Sequence, residues 1–225
     1  MGLLDGLLEA LYPTRCAGCD LPGALLCDAC REALPLVCAD DACPLCGAPY
    51  GRLVCTECWN QEFAFAAALC LGSLERPLSR MVTIYKDSGE LRLASVLADL
   101  LAPRLAAWAS WAEAVVPVPA TRRAVTRRGY DHAALLAGAI SIRTDVPVRA
   151  LLASTGAADQ RGLGRTSRQT NAGAAFTLAP GVAVPRQLLV VDDVFTTGAT
   201  LDAAAAVLLE AGAVEVRACA LARAW

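Results

Sequence analysis

Between Leu188 and Val191 the chain carries four consecutive aliphatic residues, with Asp192 and Asp193 directly behind them. A short unbroken apolar run of this kind suits a strand covered on both faces, as in a parallel sheet between layers of helix. From Leu201 the pattern turns helical: Ala203 to Ala206, Val207, Leu208 and Leu209 are strong helix formers, and Gly212 stands where helices commonly end in a left-handed residue. Thr196 to Thr200 therefore falls on the strand-to-helix turn. The same succession recurs upstream. Ala64 to Leu74 reads as a strand, Pro77 to Tyr85 as a helix with proline in its first turn, and Tyr85 to Gly89 as a break. Glu90 to Trp108 reads as a long helix that Pro103 kinks. Val115-Val116-Pro117-Val118-Pro119 reads as a buried strand running into a loop that contains Ala120, Thr121, Arg122 and Arg123, followed by a helix from Ala133 to Ile142. Strands alternating with helices predict an α/β domain over residues 63–225, with an appendage over residues 1–62.

At 225 residues and 56% hydrophobic, the chain is large enough to bury a full core. The apolar excess is largely alanine, and no run reaches the roughly 18 uninterrupted apolar residues of a membrane span. Asp99 and Arg104 interrupt the best candidate, around Leu97 to Trp111. The first twelve residues have no basic region and contain Asp5 and Glu9, unlike a secretory signal, so a cytoplasmic address is expected. The apolar stretch Leu3 to Tyr12 reads as a docking helix. The net charge of −2 conceals an asymmetry: from Arg122 to Asn171 nine arginines stand against only Asp131, Asp145 and Asp159. A basic zone inside an acidic chain points to a polyanionic partner, a pyrophosphate group or single-stranded DNA, with a solvated charged surface as the plain alternative.

The amino-terminal appendage is a cysteine framework. Cys16-x-x-Cys19, Cys27-x-x-Cys30, Cys43-x-x-Cys46 and Cys55-x-x-Cys58 make four knuckles, and two knuckles complete a tetrahedral Cys₄ zinc site. Disulfides compete with this reading, but a reducing compartment favours metal, and no βαβ pattern surrounds the knuckles as a thioredoxin-like motif requires. Sequential pairing into two sites is preferred to an interleaved one, which the spacing leaves open. Cys38 is a possible substitute ligand, while Cys70 and Cys219 sit in apolar contexts and read as core residues. With few large apolar residues in this segment, zinc is expected to act first as folding energy.

The turn after the aliphatic strand has a chemical use. Free backbone N–H groups at a helix start attract anions, and phosphate is the natural guest. Thr196, Thr197 and Thr200 add hydroxyls, while Gly198 and Ala199 keep the backbone accessible. Asp192 and Asp193 end the strand at the carboxyl edge of the sheet, where two acceptors suit a ribose diol. The plain alternative is a capped helix with two solvated aspartates. Lys86 is the sole lysine and a candidate phosphate contact at its turn, and Ala120 to Arg123 form a second possible anion cradle. His132 is the sole histidine and reads as a polar residue at a helix start. Asp159-Gln160-x-x-Leu163-x-Arg165-x-x-Arg168-x-x-Asn171 has the polar, basic character of a mobile loop over a phosphate site.

At Leu188 to Thr200 the sequence resembles the phosphoribosyl-pyrophosphate signature of type I phosphoribosyltransferases. The resemblance implies that Asp192 and Asp193 bind the ribose hydroxyls, that Thr196, Thr197, Gly198, Ala199 and Thr200 bind the 5-phosphate, and that magnesium arrives on the ligand's own phosphates. It also implies a pyrophosphate loop after Val-Pro-Val-Pro, at Ala120 and Arg122. Phe195 departs from the usual aliphatic residue and is expected to alter what packs over the sugar. The order of knuckles, Tyr85-Lys86, Val-Pro-Val-Pro, Arg127-Arg128-Gly129-Tyr130-Asp131-His132, the Gln160-to-Asn171 pattern and the signature is similar to that of the ComF family, which is linked to competence and DNA uptake. Lys86-Asp87-Ser88-Gly89 departs from the Lys-x-Arg-Gly of many relatives. No motif selects a nucleobase or amine acceptor. Three functions follow: phosphoribosyl transfer, a non-catalytic DNA-binding module, or a scaffold that contacts DNA-uptake proteins.

Overall fold

The computed structural model describes residues 13–155 and 175–225, so the Leu3-to-Tyr12 segment and the Asp159-to-Asn171 loop lie outside the described residues. The elements run α1 (Asp28–Glu32), β1 (Ala67–Ser73), α2 (Leu78–Asp87), α3 (Leu93–Ala109), β2 (Ala114–Pro117), α4 (Arg122–Arg128) and α5 (His132–Thr144). They continue through β3 (Leu152–Ser154), β4 (Phe176–Leu178), β5 (Gln187–Phe195), α6 (Ala199–Glu210) and β6 (Glu215–Arg223). The central sheet has the spatial order β1-β6-β5-β2 with every pair parallel, and β3 pairs with β4 in a separate antiparallel ribbon.

The aliphatic run explains the layering. Successive side chains of a strand point to opposite faces, so a strand covered on both sides must be apolar at every position. Leu189 and Val191 enter the core that contains Leu97, Leu101, Leu136 and Ile140 from α3 and α5. Leu188 and Val190 enter the opposite core, with Leu201, Ala204 and Leu208 of α6. Ala203, Ala204 and Ala205 of α6 and Ala218, Ala220 and Ala222 of β6 are buried.

Several local boundaries differ from the sequence expectation. α2 continues through Lys86 to Asp87 and gives way at Gly89, whose φ is +76°. Tyr85 is buried and its hydroxyl donates to the His132 carbonyl at 2.5 Å, which holds the last turn of α2 in place. β5 does not stop at the acids but runs on to Phe195, because β6 still pairs with it there, in register Phe195 to Arg223. Arg122 and Arg123 open a short helix rather than a loop: the Thr121 hydroxyl accepts from the Ala124 amide at 3.2 Å as an N-cap, and Gly129 at φ +83° closes the helix.

The cysteine-rich segment does not stand apart. Cys16, Ala17, Leu26, Cys30 and Leu34 belong to the core under α2 and α3, and Cys43, Cys46, Cys55 and Cys58 belong to the core under α6. Residues 35–37 lie along the outer edge of β1: Val37 donates to the Leu71 carbonyl at 3.1 Å, and Ser73 to the Pro35 carbonyl at 2.9 Å. This covers an edge strand that would otherwise offer unpaired backbone groups. A Cβ on Gly72 would come within 2.5 Å of the Pro35 carbonyl oxygen, so the close approach needs glycine here.

Candidate functional site

Asp192 and Asp193 are adjacent on β5, yet both are buried, at 9% and 4% exposure, so the solvated-aspartate alternative does not describe them. The Asp193 amide donates to Asp192 Oδ1 at 2.8 Å, and the Val194 amide to Asp193 Oδ1 at 2.9 Å. Lys86, at the end of α2, forms an ion pair with Asp193 Oδ2. His132, the first residue of α5, brings Nε2 to 3.4 Å from the same oxygen. Two helices thus place the sole lysine and the sole histidine on one carboxylate. Sequence reasoning puts Lys86 at a turn and gives His132 a helix-start role; it misses the buried meeting with Asp193, because nothing in the local pattern reports encounters between residues 107 and 61 positions apart. The side chain that does sit at the helix start as a cap is Asp131, which accepts from Ala134 N at 3.1 Å.

The environments of the two acids drive them apart. Burial, followed by the neighbouring Asp193 carboxylate, pushes Asp192 up to about 8. Burial also opposes ionisation of Asp193, but the hydrogen bond with His132 and the charge of Lys86 outweigh it and hold this carboxyl well below the usual carboxylate range. Near neutral pH the pair therefore holds one proton, on Asp192, and one negative charge, on Asp193. The pair thus presents one donor together with carboxylate acceptors. His132, Asp192 and Asp193 also bring one ligand atom each within 4.8 Å of one another, a group able to hold a metal ion.

The turn after β5 passes through a left-handed glycine into the start of a helix. Gly198 is left-handed at φ +80° and precedes α6, whose first amides are unpaired within the helix. A Cβ at Gly198 would fall 2.7 Å from the Phe195 ring, so glycine is needed for space as well as for conformation. The Thr197 hydroxyl accepts from the Ala199 amide at 3.4 Å. Phe195 is 2% exposed and lies edge-on to Phe63 and Phe65 at 6.3 and 6.1 Å, beneath the turn.

β2 and β5 are neighbours, with Pro117 opposite Val191, so the chain leaves β2 at the same sheet edge as the acids. The Ala120 amide donates to Asp131 Oδ2 at 3.0 Å, which ties this loop to the start of α5. Arg122, Arg123 and Arg127 lie on α4 and reach solvent. Arg128 is not free: its guanidinium bonds Asp87 Oδ1 at 2.9 Å. Arg127 and Arg128 line a cleft of about 490 Å³ with Asp87, Ser88, Gly89 and Tyr130. Arg143, also in the basic zone, pairs with Asp99 at 2.6 Å.

The eight knuckle cysteines form two clusters, Cys16/Cys19/Cys27/Cys30 and Cys43/Cys46/Cys55/Cys58, with all sulfurs of a cluster within 4.8 Å of one another. This is the sequential pairing. A tetrahedral zinc with Zn–S bonds of about 2.3 Å needs sulfurs about 3.8 Å apart. The Cys16–Cys27, Cys19–Cys27 and Cys46–Cys55 sulfurs are 3.6, 3.7 and 3.7 Å apart, so the donor set fits zinc. The amides of Gly18 and Cys27 point at Cys16 Sγ, both at 3.4 Å, and that of Cys55 at Cys43 Sγ, also at 3.4 Å, as donors to thiolates. Burial would push Cys16 up, but these amide donors outweigh it and bring the thiol to about 6. Burial and the Cys27 sulfur push Cys30 up to about 12. Cys38 is exposed and belongs to neither cluster, and Cys70 and Cys219 are buried core residues.

Among the described residues no helix is long and apolar enough to cross a membrane. No family model matches the chain. The chain is 32% identical to Competence protein F of Haemophilus influenzae over 213 residues, which cover 88% of this chain and 90% of that protein. It is 29% identical over 224 residues to DNA utilization protein YhgH of Escherichia coli, covering 94% and 97%. Competence protein ComFC of Streptococcus pneumoniae is 25% identical over 202 residues, covering 88% and 87%. Likeness along nearly the whole length of each protein, together with the two Cys₄ clusters and the parallel sheet, shows that this chain belongs to the ComF family.

Proposed function

We propose that the protein binds phosphoribosyl pyrophosphate with magnesium at the carboxyl edge of its sheet, as a phosphoribosyltransferase-type protein acting in the cytoplasm during DNA uptake. The observation that carries this is the pairing of two buried acids on β5 with a left-handed glycine that opens α6 a few residues on. Asp192 and Asp193 accept from the ribose hydroxyls. The amides and hydroxyls of Thr196 to Thr200 receive the 5-phosphate, and Lys86 and Arg122 supply positive charge for the pyrophosphate. Magnesium, carried on the ligand, would offset the phosphate charge. A transferase of this kind works by holding a positively charged ribosyl centre and its departing pyrophosphate in line, which needs positioning and charge rather than a covalent enzyme group. The biological setting rests on relatives named for competence and DNA utilization.

Calorimetry tests the ligand. Phosphoribosyl pyrophosphate with magnesium is expected to bind the intact chain, with ribose 5-phosphate competing. Losing a hydrogen bond to a charged group weakens binding about ten- to a hundredfold, so Asp192→Asn with Asp193→Asn is expected to lose most of the affinity while a thermal scan still shows a folded protein. If the double variant binds like the parent, the acids serve only the fold.

A second reading is favoured by the solvent-facing arginines of α4: the same face contacts single-stranded DNA and the ligand site is regulatory. Binding of DNA without any release of pyrophosphate would support it over transfer.

A further inference from the structure

Arg223 ends β6 and is only 3% exposed, although it carries a full charge. A buried guanidinium is expensive unless its donors are used, so its partners identify what it holds together. Nη1 donates to the backbone carbonyl of Thr196 at 2.8 Å and, more weakly, to that of Phe195 at 3.4 Å. Nη2 donates to Glu57 Oε2 at 2.7 Å. Glu57 stands between Cys55 and Cys58, inside the second cysteine cluster, and Cys46 of that cluster also attracts the guanidinium. The guanidinium carbon lies 5.1 Å from the centre of the Phe195 ring. One rigid planar group therefore touches the start of the Thr196-to-Thr200 turn on one side and the second cluster on the other. The first cluster has a different connection: the Cys16 and Ala17 carbonyls accept from Arg80 of α2, at 3.0 and 2.9 Å, and its core lies on the opposite face of the sheet.

We infer that Arg223 is a positioning residue that makes the conformation of the Thr196-to-Thr200 turn, and hence its phosphate affinity, depend on metal in the Cys43/Cys46/Cys55/Cys58 cluster but not in the Cys16/Cys19/Cys27/Cys30 cluster. Metal at the second cluster fixes two knuckles against each other, and with them Glu57. The fork of the arginine transfers that fixed position to the Thr196 carbonyl. Without the metal the knuckles separate, Glu57 shifts, and the turn loses the support that aligns its amides toward a single point. The affinity consequence rests on the phosphate reading above, whereas the coupling between cluster and turn does not.

Hydrogen–deuterium exchange on the full chain tests the coupling without any ligand. Cys58→Ser, confirmed by elemental analysis to hold about one zinc, is expected to speed exchange of the Asp202 and Ala224 amides, which donate to the Gly198 and Phe195 carbonyls at 2.8 and 2.9 Å, about tenfold or more, the effect of one broken charged hydrogen bond. Cys19→Ser, also with about one zinc, leaves those amides protected. Arg223→Met with both zincs bound exchanges there as fast as Cys58→Ser, Arg223→Lys recovers part of the protection, and adding Cys58→Ser to Arg223→Met changes nothing further. That non-additivity is what a merely structural arginine would not give. If Arg223→Met does not fold, Glu57→Gln takes its place, with a smaller rise expected. Unchanged exchange in a two-zinc Arg223→Met or Glu57→Gln protein, or equal loosening by Cys19→Ser, overturns the inference. Ribose 5-phosphate titrated into the same proteins gives the second readout. A parent that shows the coupling but binds no ribose 5-phosphate overturns the phosphate reading and leaves the coupling standing.

Discussion

Asp192→Asn is expected to stabilise the ligand-free protein at neutral pH while weakening its ligand binding. The carboxyl has an ordinary value of 3.8 and is raised to about 8 in the fold, so between these limits the folded chain holds a proton at this group that the unfolded chain has released. Stability then falls as pH rises across the window, by up to about 1.4 kcal/mol per unit. At pH 7, about three units above the unfolded value, the cost reaches a ceiling of about 4 kcal/mol. Asp193 works in the opposite sense: its pKa is depressed, so its contribution is present above the unfolded value and is lost only in strong acid, leaving it constant from pH 5 to 8. Asparagine keeps an oxygen for the Asp193 amide, now bonded at 2.8 Å, but adds a buried N–H₂ whose missing partners cost about 1–3 kcal/mol. The net gain at pH 7 is then about 1–3 kcal/mol, or roughly 2–10 °C in melting temperature for a chain of this size. At pH 5 the carboxyl costs about 1.5 kcal/mol or less, so the advantage vanishes or reverses. Calorimetric melting of zinc-saturated parent and variant at half-unit steps from pH 5 to 8 reads the difference, in which the other titrating groups cancel. A gap that stays constant with pH, or a variant less stable than the parent at pH 8, would show that the acid pair does not divide its protonation as described.

Two predictions concern the remaining chemistry. Elemental analysis is expected to give about two zinc ions per chain, unchanged in Cys38→Ser, with loss of amino-terminal structure on chelation; a well-folded metal-free protein would contradict the cluster assignment. Single-stranded DNA affinity is expected to fall steeply with salt, and replacing Arg122, Arg123, Arg127 and Arg128 with alanine to weaken it further and to lower the salt slope by about 0.7 for each DNA phosphate that is no longer neutralised; an unchanged slope would remove α4 from any DNA surface.

The sequence by itself determined the features that depend on neighbours along the chain. Leu188 to Val191 reads as a strand covered on both sides, because a strand with one solvent face alternates apolar and polar positions. The four Cys-x-x-Cys pairs required knuckles, and Thr196 to Thr200 with its glycine required a strand-to-helix turn, because short-range backbone geometry leaves few alternatives. The tertiary structure decided what depends on the meeting of distant segments. Lys86 and His132 read separately as a turn lysine and a helix-start histidine, but α2 and α5 cross the sheet so that both converge on Asp193. That convergence, and not residue type, divides the protonation of two identical neighbouring side chains. Pairing of the knuckles into two clusters, left open by their spacing, follows from which sulfurs the fold brings within reach of one ion. Arg223 carried no signal at the end of the continuously apolar run Ala218 to Ala222. Its partners, Glu57 and the Thr196 carbonyl, lie 166 and 27 residues away and are joined only because the second cysteine cluster packs beneath the turn. Periodicity fixes faces and turns, but the free energy of a buried charge depends on every group around it, and that set exists only once the chain has folded.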